Sequence, residues 1–348
     1  AHARLKRAVN TFDIKALARR RLPRAVFDFI EGGVEDEIGL ATNRDAFDQV
    51  RFLPRVCRDV SSISRRQTLF GETYDSPFGI SPSGMNDLFR PGADLDLAEA
   101  AKAANIPFSL SGVSNASLER IWEGTRTPFW FQLYAARDSV IIDDLLRRAR
   151  ALGIRTLLVT TDVPVSGRRE RNLRNRLSLP YRPSLKDALD TAFHLPWLVD
   201  YLRSGGLPSC GSWEVYARDG ANAAEVVALM GAHIPNPAFS WDDLAKIRER
   251  WPHTLVLKGI LAPDDAVRAK AAGVDGLQVS NHGGRQLDRA PSALRMLPLI
   301  RQAVGPDMPL LIDGGVMRGA DVAASLCLGA DFVMVGRATL YGAIAAKR

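Results

Sequence analysis

The chain has 348 residues, 46% of them hydrophobic and 24% charged, with a formal net charge of +7. This length accommodates two average domains or one large α/β domain with a sizeable core. No uninterrupted apolar run of about 18 residues is present, which argues against a transmembrane helix, and the N-terminus has no apolar signal-peptide core.

Cys57, Cys210 and Cys327 lie far apart and match neither a metal-ligand spacing nor a disulfide framework. A reducing, intracellular compartment is therefore expected. The positive charge has two local sources. One is the N-terminal set Arg4, Lys6, Arg7, Lys15, Arg19, Arg20, Arg21 and Arg24; the other is "GRRERNLRNR", with Arg168, Arg169, Arg171, Arg174 and Arg176. Neither stretch interleaves aromatics with its basic residues, which speaks against nucleic acid as a partner. Solvated surface, anionic small substrates, phosphate groups and an anionic membrane surface remain.

In chain order, residues 1–77 predict a helical segment, with short helices at 14–21 and 23–31 before "EGGVEDE" breaks the pattern. From residue 78 short β-rich runs recur: "FGISPSG", "PFSLSG", "PFWFQLY", "TLLVTTDV", "TLVLKGI", "GLQVSNHGG", "MPLLIDGG" and "FVMVGRA". Most are followed by an amphipathic helical pattern, and glycines separate several helices from the next run, as in "RALGIRTLLV" and "KAAGVDGLQV". Near-continuous apolar runs alternating with helices mean parallel strands covered on both faces. Eight such units predict a (β/α)8 barrel over residues 78–348.

Between the fourth and fifth runs lies a long insertion, 177–240, whose Phe193, Leu195, Trp197, Leu198, Val199 and Tyr201 make it locally apolar. It reads either as an extra packed helix pair or as a mobile active-site cover or membrane-contact element. The eighth helix starts near Ala338 and is short, which suggests further chain beyond it.

A barrel carries its chemistry at the C-terminal ends of its strands. Here the run ends present Ser83 and Gly84; Ser111; Gln132 and Tyr134; Thr160 and Asp162, with Arg169 just beyond; Lys258; Ser280, His282 and Arg285; Asp313, Gly314 and Gly315; and Gly336 and Arg337. The "DGG" and "VGR" ends of runs seven and eight read as a phosphate site, where glycine allows close backbone approach and Arg337 adds a charged partner. His282 is the natural general base, and Asp162 is placed to hold its other nitrogen. Arg169 and Arg285 suit a bidentate carboxylate clamp. Lys258 has little nearby in sequence to neutralise it and would stabilise negative charge on an electron-accepting ring. A phosphate-binding aldolase or isomerase, or an inactive scaffold, would not need His282, Arg285 and Arg169 together.

These residues resemble the FMN-dependent α-hydroxy acid dehydrogenase/oxidase family, of which "SNHGGRQLD" is a specific signature. "LPRAVFDFIEGGVEDE", "FQLY", "TTDVPVSGRRERNLRNR", "LVLKGI" and "GRATLYG" extend the resemblance over nearly the whole chain, closest to the bacterial membrane-associated (S)-mandelate and L-lactate dehydrogenases. The resemblance implies oxidation of an (S)-2-hydroxy acid to the 2-keto acid, with electrons passed through FMN to a quinone or another acceptor. The alternative it leaves is an oxidase that uses O2 and makes H2O2. It implies His282 as base, oriented by Asp162. It places Arg169, Arg285, Tyr134 and position 29 on the substrate, and Lys258 at the edge of the flavin. Pro82, Ser83, Gly84, Ser111, Gln132, Thr160 and Ser280 would contact the ring and ribityl chain, with Asp313, Gly314, Gly315, Gly336 and Arg337 at the ribityl and phosphate end. It further implies a homotetramer, cytoplasmic or held peripherally at the inner face of the membrane.

Two positions depart from the family pattern. Phe29 stands where the family usually has a carboxylate-binding tyrosine, which favours bulky or aryl substrates. Met317 stands where it usually has an FMN-contacting arginine. Gly84, where oxidases often have alanine, is compatible with a dehydrogenase.

Overall fold

The structure is a computed structural model that describes residues 5–176 and 184–346. A short hairpin comes first, β1 (Gln67–Leu69) against β2 (Glu72–Tyr74). All eight predicted runs then form strands of one sheet. They are β3 (Phe78–Ile80), β4 (Ser109–Ser111), β5 (Trp130–Tyr134), β6 (Thr156–Thr160), β7 (Thr254–Ile260), β8 (Gly276–Val279), β9 (Leu310–Ile312) and β10 (Phe332–Val335). Every pairing in this sheet is parallel, each strand beside its sequence neighbours, with β10 beside β3. A single bridge between Ile80 and Phe108 brings β3 to β4 and all but closes the ring.

The period-2 geometry of a strand sorts its side chains into two clusters. Trp130, Leu158, Val256, Leu311, Phe332 and Met334 point inward and fill the barrel. Their neighbours Leu157, Val159, Leu255, Leu257, Leu277, Leu310 and Val333 point outward and pack against the helices. Both faces are buried, so the strands read as continuous apolar runs.

The N-terminal segment holds one helix more than the two that the sequence marks. Helices α1 (Thr11–Arg19), α2 (Arg24–Glu31) and α3 (Ile38–Asp48) form, the first started by an Asn10–Asp13 capping box. Residues 51–66 have no regular structure and are almost wholly exposed. The β1–β2 hairpin follows them. Leu69 joins the inner cluster, Phe70 lies 5.9 Å from Trp130, and Tyr74 lies 5.6 Å from Phe332. Trp130 and Phe332 open their strands, so the hairpin plugs the N-terminal mouth of the barrel and leaves the C-terminal mouth for the site.

Of the insertion, residues 177–183 lie outside the described residues. It is preceded by α4 (Glu170–Arg174), and the remainder divides in two. Helices α5 (Leu185–Ala192) and α6 (Leu195–Arg203) bury no residue, and Leu185, Leu189, Phe193, Leu195 and Leu202 are exposed. Trp197 ties α6 to the barrel by donating from Nε1 to the Leu88 carbonyl at 2.9 Å and stacks on Tyr201. Further along, Cys210, Trp213 and Val226 belong to the core. The insertion thus has one part packed into the core and one part whose apolar side chains face outward.

Candidate active site

A cavity of about 670 Å³ opens at the C-terminal mouth of the barrel. Of the residues that the sequence singles out, Pro82, Ser83, Gly84, Gln132, Tyr134, Thr160, Arg169, Lys258, His282, Arg285, Asp313, Gly314, Gly315, Gly336 and Arg337 line it. The N-terminal helices supply one wall. Phe29 comes from α2, while Glu37, Leu40, Ala41 and Arg44 come from the start and body of α3. Those last four fall at i, i+3, i+4 and i+7, one helical face. That spacing is the signal by which the sequence could have revealed them.

The turn after β8 holds three successive residues in the left-handed region: His282 at φ 56°, Gly283 at 63° and Gly284 at 73°. A non-glycine residue there is strained, and such strain concentrates at functional sites. Gly284 is required by packing as well, because a Cβ would lie 2.6 Å from the Leu40 nitrogen. The strained turn aims the imidazole into the cavity.

His282 Nδ1 lies 2.9 Å from Asp162 Oδ1, and Nε2 lies 3.4 Å from the Tyr134 hydroxyl. The carboxylate therefore fixes the proton on Nδ1 and leaves Nε2 as the free base. Burial lowers the His282 pKa; Asp162 opposes this, and Lys258 adds to the lowering. Burial works against the Asp162 carboxylate too, but His282 and Lys258 outweigh it and hold Asp162 below its usual range. The pair is a neutral base backed by an anion.

Beside it stand three half-buried guanidiniums, of Arg169, Arg285 and Arg337. Burial lowers the Arg169 pKa, with Arg337 adding to the effect; burial, then Arg169 and Arg337, holds Arg285 well below its ordinary value. None of the three forms an ion pair among the described residues, and Arg169 Nε has no hydrogen-bond partner. Arg285 Nη1 donates to the carbonyls of Phe29 and Gly32, at 3.1 and 2.6 Å, and its guanidinium lies 5.7 Å from the Phe29 ring. Concentrated positive charge with no carboxylate partner in a partly buried cavity is a site for an anion.

At several residues tertiary contacts add to what the sequence shows. Lys258 is not unneutralised: its Nζ lies 3.4 Å from Asp313 Oδ2 and donates to Ser280 Oγ at 3.0 Å. Burial disfavours the ammonium, but Asp313 and Asp162 raise its pKa. Ser280 does not line the cavity; its Oγ is taken by Lys258 and by the His282 amide at 3.0 Å. Ser111 likewise stands behind the wall, donating to Gln132 Oε1 at 2.9 Å, and Asp162 stands behind His282. Arg337 is turned toward the base rather than standing free at the "DGG" turn. Its nitrogens donate to the carbonyls of Ile30, Gly283 and Gly32 at 2.8, 2.9 and 3.2 Å.

The cavity suits a flat heteroaromatic ring with a polyol arm. Gln132 Nε2, Thr160 Oγ1 and Asp313 Oδ1 are buried polar atoms without partners in residues that line it. Such atoms are costly unless a ligand satisfies them. Gln278 and Ser81 brace Asp313 Oδ2 at 2.7 and 3.1 Å, which leaves Oδ1 to the cavity side. Lys258 supplies a fixed charge for a ring edge that gains electrons.

Comparison with known proteins agrees with this reading. Residues 18–348 match the FMN-dependent dehydrogenase family. The chain is 41% identical to a protein named (S)-mandelate dehydrogenase from Pseudomonas putida, over 96% of this chain and 83% of that one. It is 38% identical to one named L-lactate dehydrogenase from Acinetobacter baylyi, over 96% and 86%. A crystal structure titled as the monotopic membrane protein (S)-mandelate dehydrogenase superposes with a TM-score of 0.93 at 40% identity, over 97% of this chain and 89% of that one. A mandelate oxidase variant solved with (S)-mandelic acid gives 0.81 at 33% identity, over 97% and 88%. With its barrel, its His282–Asp162 pair and the unpartnered polar atoms of its cavity, the chain belongs to the FMN-dependent dehydrogenase family.

Proposed function

We propose that this protein oxidises an (S)-2-hydroxy acid with an aryl or other bulky side chain to the 2-keto acid and passes the electrons to a quinone at a membrane surface. The observation that carries the proposal is the convergence in one cavity of His282, backed by Asp162, with Arg169 and Arg285, half-buried cations that form no ion pair among the described residues. A 2-hydroxy acid supplies both the carboxylate and the proton that these groups call for. When bound, FMN would accept the two electrons together with the substrate's second hydrogen, His282 holding the first as a proton.

The residues then divide the work. Arg285 and Arg169 bind the carboxylate and orient the substrate. His282 Nε2 takes one proton, and Asp162 stabilises the imidazolium that results. Tyr134, 3.4 Å from Nε2, contacts the substrate hydroxyl or carboxylate. Phe29 and Phe89, with ring centroids 5.9 Å apart, give the pocket an apolar wall suited to an aromatic side chain. The relatives' names, mandelate and lactate dehydrogenase, bracket this substrate range.

Two features favour a membrane-borne acceptor. The exposed apolar side chains of α5 and α6 cluster on one excursion, and a relative's structure is titled a monotopic membrane protein. Among the described residues no helix is long and apolar enough to cross a membrane, so attachment would be by lying on the surface.

The test is anaerobic mixing of the purified protein with a panel of (S)-2-hydroxy acids. Bleaching of the flavin by mandelate-like acids is expected, and no bleaching by any acid would overturn the proposal. Admitting a quinone or oxygen afterwards identifies the acceptor; faster reoxidation by oxygen would make the enzyme an oxidase. The role of Phe29 is tested separately. Phe29→Tyr is expected to raise kcat/KM for lactate relative to mandelate by about 2- to 10-fold, because the added hydroxyl makes the wall facing the aryl group polar, while any hydrogen bond to the acid serves both substrates alike. An unchanged ratio in steady-state kinetics would remove Phe29 as a specificity determinant.

A further inference from the structure

We infer that Arg44, on α3, is the cation that binds the FMN phosphate in this chain. The loops after the seventh and eighth barrel strands commonly hold a phosphate. Here they are the Gly314–Gly315 turn and Gly336, and Gly336 opens α7 (Arg337–Ala345), whose N-terminus has no side-chain cap. Its free backbone N–H groups favour an anion. A phosphate dianion needs a side-chain cation as well.

The other cations lining the cavity are directed elsewhere than at this turn. Arg285 donates to the carbonyls of Phe29 and Gly32, Arg337 to those of Ile30, Gly283 and Gly32, and Lys258 is held by Asp313 and Ser280. Lys15 is paired with Glu31. Position 317, next to the glycine turn, is a methionine. Arg44 is the cation at the turn itself: Nη1 donates to the Gly315 carbonyl at 2.7 Å and to Asp321 Oδ2 at 2.6 Å.

Asp321 also accepts from the Met317 and Arg318 amides at 2.8 and 3.0 Å, so it is a fixed anchor that presents the guanidinium rather than a competitor free to move. The Nη2 edge is held only by Asp48, whose side chain is 71% exposed, at 3.2 Å. An exposed i,i+4 pair of this kind is weak, and a phosphate would displace it. Arg44 therefore has one edge fixed and one edge available to the ligand.

The test is binding of FMN and of riboflavin to the apoprotein, read by quenching of flavin fluorescence. Riboflavin lacks only the phosphate, so the ratio of the two affinities isolates the phosphate contact from the ring site. Wild-type protein is expected to prefer FMN, which tests the cofactor itself independently of Arg44. Arg44→Gln is expected to lower FMN affinity by about 10- to 100-fold, as for loss of a charge-assisted contact, with riboflavin affinity unchanged. Adding Met317→Arg to that variant is expected to restore part of the preference. Arg44→Lys keeps the charge without the two-edged geometry, and is expected to lower the preference several-fold in a chain that folds. An unchanged FMN-to-riboflavin ratio in Arg44→Gln, or in Arg44→Lys should the first not fold, overturns the inference. Equal loss of both ligands also overturns it, because Arg44 would then support the fold and not the phosphate.

Discussion

A His282→Gln enzyme is expected to reduce its bound FMN about 10²- to 10⁴-fold more slowly than wild type with the preferred 2-hydroxy acid, the range for loss of a general base. Stopped-flow flavin absorbance under anaerobic conditions measures that step alone. Glutamine still offers Asp162 an amide donor in place of Nδ1, so the turn and the flavin contacts are expected to persist, with FMN content close to wild type. An unchanged reduction rate would remove His282 from the chemistry. The same assignment sets a pH profile. Burial lowers the His282 pKa below its ordinary 6.5, so the base is neutral and competent at pH 7. Protonation disables it, so kcat/KM is expected to fall as pH drops through the lowered pKa and to be flat above it. Asp162 raises that pKa, so Asp162→Asn should move the acid limb to lower pH while lowering the rate.

Replacing Arg285 with methionine has the second large expected effect. Loss of one partner from a buried charged pair costs about 2–5 kcal/mol, so kcat/KM for the hydroxy acid should fall by about 30- to 5000-fold. Arg285 also donates to the Phe29 and Gly32 carbonyls, so a structural loss must be separated from a lost substrate contact. The neutral amide of the same acid separates them. If Arg285 binds the carboxylate, the penalty on the amide is far smaller than on the acid. A penalty of equal size on both would mean that Arg285 holds α2 in place and does not read the substrate's charge.

Much of this site is legible in the order of residues alone. Most strand ends that the apolar runs mark bring a polar residue to the barrel mouth, because a parallel barrel puts every C-terminal strand end on one rim. The glycines and arginine that follow His282 distinguish it from a packed core histidine. Which rim residues face inward is not legible in the same way. Ser111 and Ser280 sit at strand ends as expected, yet each spends its hydroxyl on a neighbour, Gln132 or Lys258. Arg337 sits beside the "VGR" glycine in sequence, but its long side chain reaches the carbonyls around the base instead.

Local sequence decided what depends on near neighbours. Strand identity follows from apolar runs of the right length, helix starts from caps such as Asn10 with Asp13, and the left-handed turn after β8 from paired glycines. Tertiary structure decided everything that joins distant segments. Asp162 reaches His282 across 120 positions, and Asp313 neutralises Lys258 from two strands away. The β1–β2 hairpin plugs the far mouth, and α3 brings Arg44 to the Gly315 turn. Such pairings depend on strand order, barrel closure and the packing of the N-terminal helices against the rim. Those are set by burial of the whole apolar surface together, a quantity that no single segment carries.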